Sequence, residues 1–152
     1  MIPIFRAKTI KQDYNEWEEC QELKKIDGVW YAIGFYDCKR EVKTYLGDWE
    51  TTHLILIRKS TAISEVNTAE IIDISTLSIH FPNMLDSQGN KIFASLQKNG
   101  RGGDVCSVND YIDSGLEGVA IYQNYGFRID RKGKAMGISL SSTDIKTVGI
   151  QQ

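Results

Sequence analysis

The sequence predicts a mainly β fold, an antiparallel sandwich or small barrel with one or two short helices. Three observations point there. Short runs rich in β-branched and aromatic residues recur along the chain, Gly-containing turns separate them, and helical spacing is confined to brief segments.

Taken in order, the first of those segments begins at Asp13, which with Glu16 resembles a capping box. Tyr14, Trp17, Cys20 and Leu23 follow at every third residue, a rough helical stripe. Asp27-Gly28 is a favoured hairpin pair and leads into the aromatic strand Val29–Tyr36. Val42, Thr44 and Leu46 share one face of the next strand, which Gly47-Asp48 ends. His53–Arg58 carries a continuous apolar run and reads as a strand buried on both faces. Thr61–Ala69 is expected to hold a second helical turn, and Ala69–Ile74 a further strand.

Strands recur in the second half. Asp104–Val108 alternates in polarity, and Glu117–Tyr122 precedes a turn at Asn124-Tyr125-Gly126. Phe127 and Ile129 share one face, Arg128 takes the other, and Lys132-Gly133 turns the chain into a strand over Ala135–Leu140. Three glycines in four residues, Gly100, Gly102 and Gly103, make 97–103 the most loop-like stretch, expected to be a flexible surface loop.

With 152 residues, the chain is long enough for one sizeable core, and it reads as a single domain over 1–152. Eighteen basic against twenty acidic residues give a formal charge of −2, which argues against non-specific nucleic-acid binding through phosphates. The aliphatic run Leu54–Ile57 is far short of a membrane span, and the N-terminus lacks the pattern of a signal peptide. Cys20, Cys38 and Cys106 are odd in number and widely spaced, so reduced thiols in a cytoplasm are expected, with no metal or other cofactor.

No stretch carries a recognisable catalytic motif. After the glycine-rich loop comes Asp104-Val105, a strand start, where a phosphate cradle needs a helix N-terminus and often Lys-Ser/Thr. Arg101-Gly102-Gly103 is a single RGG, where RNA-binding segments use several. His53 and His80 have no ligands at zinc-like spacing, and are read as hydrogen-bonded structural residues. Cys106 lies in an alternating strand, where a thiol behaves as a small apolar group. Ser95-Leu96-Gln97-Lys98 matches S-x-x-K without its companion motifs. Asp86–Asn90 places Gly89 fourth rather than sixth, which fails a calcium loop and suits a turn in which Asp86 bonds the local backbone.

Two surface features are candidates for binding. Trp30, Tyr31, Phe35 and Tyr36 alternate faces, so one set faces the core and the other either lies under a second layer or forms a platform. Arg128, Arg131, Lys132 and Lys134 put four cations within seven residues, a candidate binding surface diluted by Asp130.

Several segments, in order, resemble the YopX family of bacteriophage and prophage proteins. They are Met1–Lys8, the aromatic strand Gly28–Phe35, the apolar strand Thr52–Ile57, Glu70–Leu77, the turn Asp86–Phe93, and Gly103-Asp104-Val105. About ten residues between Phe93 and Gly103, and the segment from Ile10 to Ile26, stand as insertions against that pattern. The resemblance implies an SH3-like barrel or roll with an additional sheet, and homo-oligomers. It brings no catalytic residues, because the family has no assigned activity. Together these readings predict a non-enzymatic protein-interaction module of a phage or prophage. It would act in the bacterial cytoplasm on a host or phage protein, with nucleic-acid binding as the alternative.

Overall fold

The computed structural model describes residues 2–43, 46–47, 49–60, 65–109, 116–123, 126–131, 134–137 and 144–152. The fold is mainly β, as the sequence predicts, and among the described residues the helical content is two 3-10 turns at Glu16–Glu18 and Ile74–Thr76. The chain divides into two compact units, Ile4–Ile74 and Met1–Pro3 with Ser75–Gln152. The even spread of strand and turn signals along the sequence does not mark that boundary.

The first unit is built on one long strand. Its elements are β1 (Ile4–Lys8), β2 (Leu23–Ile26), β3 (Val29–Lys43), β4 (Trp49–Ser60) and β5 (Glu65–Ile71). Asp27 and Gly28, at φ 51° and 80°, form the tight turn between β2 and β3, the double positive φ that favours Asp-Gly there. β1 and β2 both pair with the start of β3, setting Ala7 and Leu23 opposite Ala32. All three are fully buried, with Trp30 and Tyr31 beside them. Farther along, β4 pairs with β3 and β5 with β4, all antiparallel. At Gly34 an added Cβ would stand 2.1 Å from the Leu56 carbonyl oxygen, so only glycine permits that close approach.

The predicted N-terminal helix is a single 3-10 turn. Tyr14 is buried while Trp17 is 89% exposed, so the three-residue spacing does not share a buried face. A short helix needs such a face to outweigh its nucleation cost. The capping contact forms two residues later than predicted, with the Asn15 amide donating to the Glu18 carboxylate at 2.7 Å. What holds the segment is a clamp rather than a helix. The Gln12 side chain accepts from the Trp30 amide at 2.9 Å and donates to the Thr9 carbonyl at 2.6 Å. Tyr14 packs on Trp30 with ring centroids 5.2 Å apart and donates its hydroxyl proton to Glu70.

Two other expectations change in this unit. The helical turn predicted at Thr61–Ala69 is replaced by β5, whose partner β4 supplies a ladder that overrides local preference; residues 61–64 lie outside the described residues. The strand predicted at Ala69–Ile74 ends at Ile71, and Ile72 then bridges Thr9.

The second unit contains β6 (Ser78–His80), β7 (Ala94–Ser95), β8 (Asp104–Asn109), β9 (Leu116–Gln123), β10 (Gly126–Arg131), β11 (Lys134–Gly137) and β12 (Asp144–Ile150). β9 is the hub. It pairs antiparallel with β10 on one side and β8 on the other, β10 pairs β11, and β8 pairs β12. β7 meets β9 in parallel at Ser95 and Ile121, so the sheet is mixed rather than purely antiparallel. Ile92, Ala94, Cys106, Ala120, Ile129 and Ile145 form its buried core, with Phe81, Tyr122 and Phe127 packed against them. The predicted strand Ala135–Leu140 is β11 as far as Gly137, and 138–140 lie outside the described residues, as do Asn124, Tyr125, Lys132 and Gly133 of the predicted turns.

The glycine-rich stretch is not a flexible surface loop. Gly100, Gly102 and Gly103 are all buried. Gly102 has φ +82°, and a Cβ there would stand 1.8 Å from the Thr76 carbonyl oxygen; at Gly103 it would stand 2.3 Å from that of Ala120. The loop is tied down by the Gly102 amide donating to Gln151, the Arg101 guanidinium donating to the Ser75 hydroxyl at 2.6 Å, and the Ser95 hydroxyl donating to the Arg101 carbonyl at 2.8 Å. Glycine serves here because backbone packs on backbone, not because the chain must move.

Candidate functional site

The groups whose chemistry invites a catalytic reading are committed to structure. His80 is buried, its Nδ1 lies 2.9 Å from the Ile92 carbonyl oxygen, and its ring packs on Phe93. Burial, with Lys91 nearby, holds its pKa below the ordinary imidazole value despite the Ile92 carbonyl and Asp104. Cys106 is fully buried and its thiol is pushed up to about 12, first by burial and then by Asp104 and Asp86. A thiol in that state is no nucleophile at neutral pH. Ser95 of the S-x-x-K match is buried too; besides donating to Arg101, its hydroxyl accepts from the Gln97 amide at 3.0 Å.

Asp86 anchors a turn. One carboxylate oxygen accepts from the amides of Gln88 and Asn90 at 2.9 and 2.8 Å, and the other from the amide and hydroxyl of Thr147. Gly89 takes φ +82°, as the sequence pattern predicts. With N–H and O–H donors aimed at both oxygens, this geometry suits a backbone staple and not a cation. Among the described residues, no three His, Cys, Asp or Glu side chains gather as metal ligands.

His53 has a different partner. Its Nδ1 lies 2.7 Å from the Tyr36 hydroxyl and the two rings stack at 11°. The register sets Cys38 opposite His53, although the Cys38 side chain lies outside the described residues.

The cationic cluster falls on a hairpin that divides it. Arg131 pairs with Lys134 across β10 and β11, and Arg128 pairs with Gly137. Arg128 and Arg131 are three positions apart, an odd separation that assigns them to opposite faces of a pleated strand. Asp130 shares the face of Arg128. Arg128 is half-buried; the side chains of Arg131 and Lys134, and all of Lys132, lie outside the described residues.

An apolar face on β3, β4 and β5 is the feature the ladder builds most clearly. The register aligns Phe35, Leu56 and Ala69 in one row, and Asp37, Leu54 and Ile71 in the next. Phe35 is 54% exposed, Leu56 39% and Ile71 52%. The alternating residues Ile55 and Ile57 are buried, so β4 is sealed on one face and apolar toward solvent on the other. This corrects the reading of His53–Arg58 as buried on both sides. It also divides the aromatic strand, because Trp30 and Tyr31 are buried where β1 and β2 flank them, whereas Phe35 emerges beyond.

Antiparallel sheets that face water usually show polar residues there. A contiguous apolar row on the solvent side of a sheet is a candidate interaction surface. The sequence signal for it was the unbroken run Leu54–Ile57, which hydrophobicity alone cannot distinguish from a strand buried twice. No helix among the described residues is long and apolar enough to cross a membrane. No family model, curated protein or solved structure matches the chain.

Proposed function

We propose that this protein acts by binding other proteins, not by catalysis, and that the Phe35–Leu56–Ala69 row with Leu54 and Ile71 is the contact surface. The exposed apolar row carries this reading, because burying such side chains against a partner contributes roughly 1.5–3 kcal/mol each when burial is complete. The commitment of His80, Cys106, Ser95 and Asp86 to hydrogen bonds and packing supports it. The resemblance of Met1–Lys8, Gly28–Phe35 and Asp86–Phe93 to YopX proteins supports a phage or prophage accessory protein working in a bacterial cytoplasm.

The test is a photo-crosslinking amino acid placed at Phe35, with the exposed Lys24 as control position, in the full chain expressed in bacteria. Protein adducts at Phe35 and none at Lys24 are expected. Equal labelling at both positions, or nucleic-acid adducts alone, would overturn the reading. The Arg131–Lys134 register pair favours nucleic acid as the second reading, which predicts salt-sensitive oligonucleotide binding that Arg131→Glu abolishes.

A further inference from the structure

We infer that the partner reaches this face as an extended segment of another protein, which adds a strand to the open edge of β5 and alternates apolar residues with cations. The inference rests on the protein-binding reading above and names the mode of binding and the chemistry of the partner. It comes from which way the backbone of β5 points. Ile72 donates its amide to the His53 carbonyl on β4, whereas the Ile71 carbonyl accepts from the Ile10 amide on the other side, both at 3.0 Å. Successive residues of a strand turn their backbone groups to opposite edges. Thr68 and Glu70 therefore bond toward β4, and Glu65, Asn67 and Ala69 turn N–H and C=O away from it. Among the described residues, no strand pairs with that side of β5. The chain itself begins one at the far end, where Thr9 bridges Ile72 and Ile10 bonds Ile71. The ladder stops there, and Gln12 turns instead to the Trp30 amide.

The side chains give the added strand its chemistry. Ala69 ends the Phe35–Leu56–Ala69 row at this edge, and it is small and exposed. A residue bonded opposite Ala69 projects on the same face, beside a methyl group that leaves it room. An apolar side chain there extends the row to a fourth strand. Its neighbours in the segment project on the other face, which is the face of Glu70. From Glu65 to Ile71 the sequence has two carboxylates and no cation. The segment that Tyr14 fastens to Glu70 is acidic as well, with Asp13, Glu16, Glu18 and Glu19 and no cation among them. This charge repels a second β5 from the same edge and attracts lysine or arginine. The occupant that fits is therefore apolar on the face of the row and basic on the other, held by main-chain bonds to Asn67 and Ala69.

The experiment titrates the full chain with a fluorescent synthetic peptide, Lys-Val-Lys-Val-Lys-Val-Lys, and follows amide hydrogen exchange along β5 by nuclear magnetic resonance. Circular dichroism confirms that each variant folds. The peptide is expected to bind and to slow exchange at Asn67 and Ala69, whose amides exchange quickly in the chain alone, while Thr68 and Glu70 are slow throughout. Ala69→Pro removes an amide that β4 does not use, and it weakens binding about tenfold or more. With the protein unchanged, a peptide N-methylated at its valines, whose amides face β5, loses binding to the same extent, whereas one N-methylated at its lysines keeps it. Glutamate in place of lysine weakens binding about fivefold or more. No binding, binding indifferent to Ala69→Pro and to valine methylation, or equal affinity for the glutamate peptide would each overturn the inference. So would protection of Asn67 and Ala69 that grows with the concentration of the chain alone, which places a second copy on the edge. The two ideas fail separately. If the peptide leaves β5 untouched while Phe35 still crosslinks to other proteins, strand addition is refuted and the contact face stands; absence of both refutes both.

Discussion

Replacing Asp86 by alanine tests whether the turn at 86–90 is a structural staple. The carboxylate accepts from three backbone amides, those of Gln88, Asn90 and Thr147, and from the side chains of Asn90 and Thr147. Its neighbour Ser87 donates both amide and hydroxyl to the Ile145 carbonyl at 2.8 Å, so the turn is fastened to β12 at several points. A lost bond to a charged acceptor, or a buried donor left unsatisfied, costs roughly 1–3 kcal/mol. Gln88 and Asn90 are exposed and water can replace part of the loss, whereas Thr147 is half-buried. Taking the low end for each amide gives about 3–4 kcal/mol for Asp86→Ala, or a fall of roughly 10 °C in melting temperature.

The same group carries a pH signature. Burial acts to raise its pKa, yet the bonds from Asn90 and Thr147 outweigh burial and hold it below the ordinary 3.8. A depressed carboxylate contributes stability that is full above the unfolded value and lost as pH falls through the folded one. The parent should therefore lose stability below about pH 4, and Asp86→Asn should be less stable at neutral pH with a shallower acid limb. Calorimetry or circular dichroism between pH 2 and 7 measures both effects. A loss under 1 kcal/mol for Asp86→Ala, or an acid limb unchanged in Asp86→Asn, would refute the staple.

Three further outcomes follow from the buried groups. Gly102→Ala should destabilise by roughly 3 kcal/mol or more by urea titration, since its Cβ would collide with the Thr76 carbonyl at a φ of +82°. Cys106, with its thiol pushed up to about 12, should resist iodoacetamide at pH 8 in the folded protein and react on unfolding, as peptide mass mapping would reveal, while the half-buried Cys20 reacts first. Burial lowers the His80 pKa in the folded chain, so as pH falls below the ordinary 6.5 the unfolded chain takes up the proton first and stability falls until the folded ring is protonated too; His80→Gln should flatten the melting temperature over this window.

What the sequence disclosed depended on whether local chemistry set the structure. The Asp27-Gly28 turn, the Asp86–Gly89 turn and the aromatic strand were legible because positive φ, local carboxylate bonding and β-branched composition are properties of short segments. The segment at Tyr14–Leu23 misled because Trp17 points away from the face that Tyr14 buries, a tertiary fact that spacing does not contain. The glycine-rich loop misled for the opposite reason. Glycine marks both free chain and close backbone contact, and only the carbonyls of Thr76 and Ala120 reveal which applies here. The four cations at 128–134 looked like one patch in sequence, and strand alternation separates Arg128 from Arg131.

The apolar face carries the further lesson that exposure and stability separate cleanly on β4. Ile55 and Ile57 are sealed, so shortening either removes buried area and opens a cavity. Leu56, between them on the same strand, leaves much of its surface in water and contributes correspondingly less to folding. Its opposite neighbours Phe35 and Ala69 are exposed as well. A sheet that needed only to fold would gain solubility from threonine or lysine at these positions without losing its core. The proposed contact surface accounts for apolar side chains kept in register across three strands, which contribute little to the fold of the isolated chain.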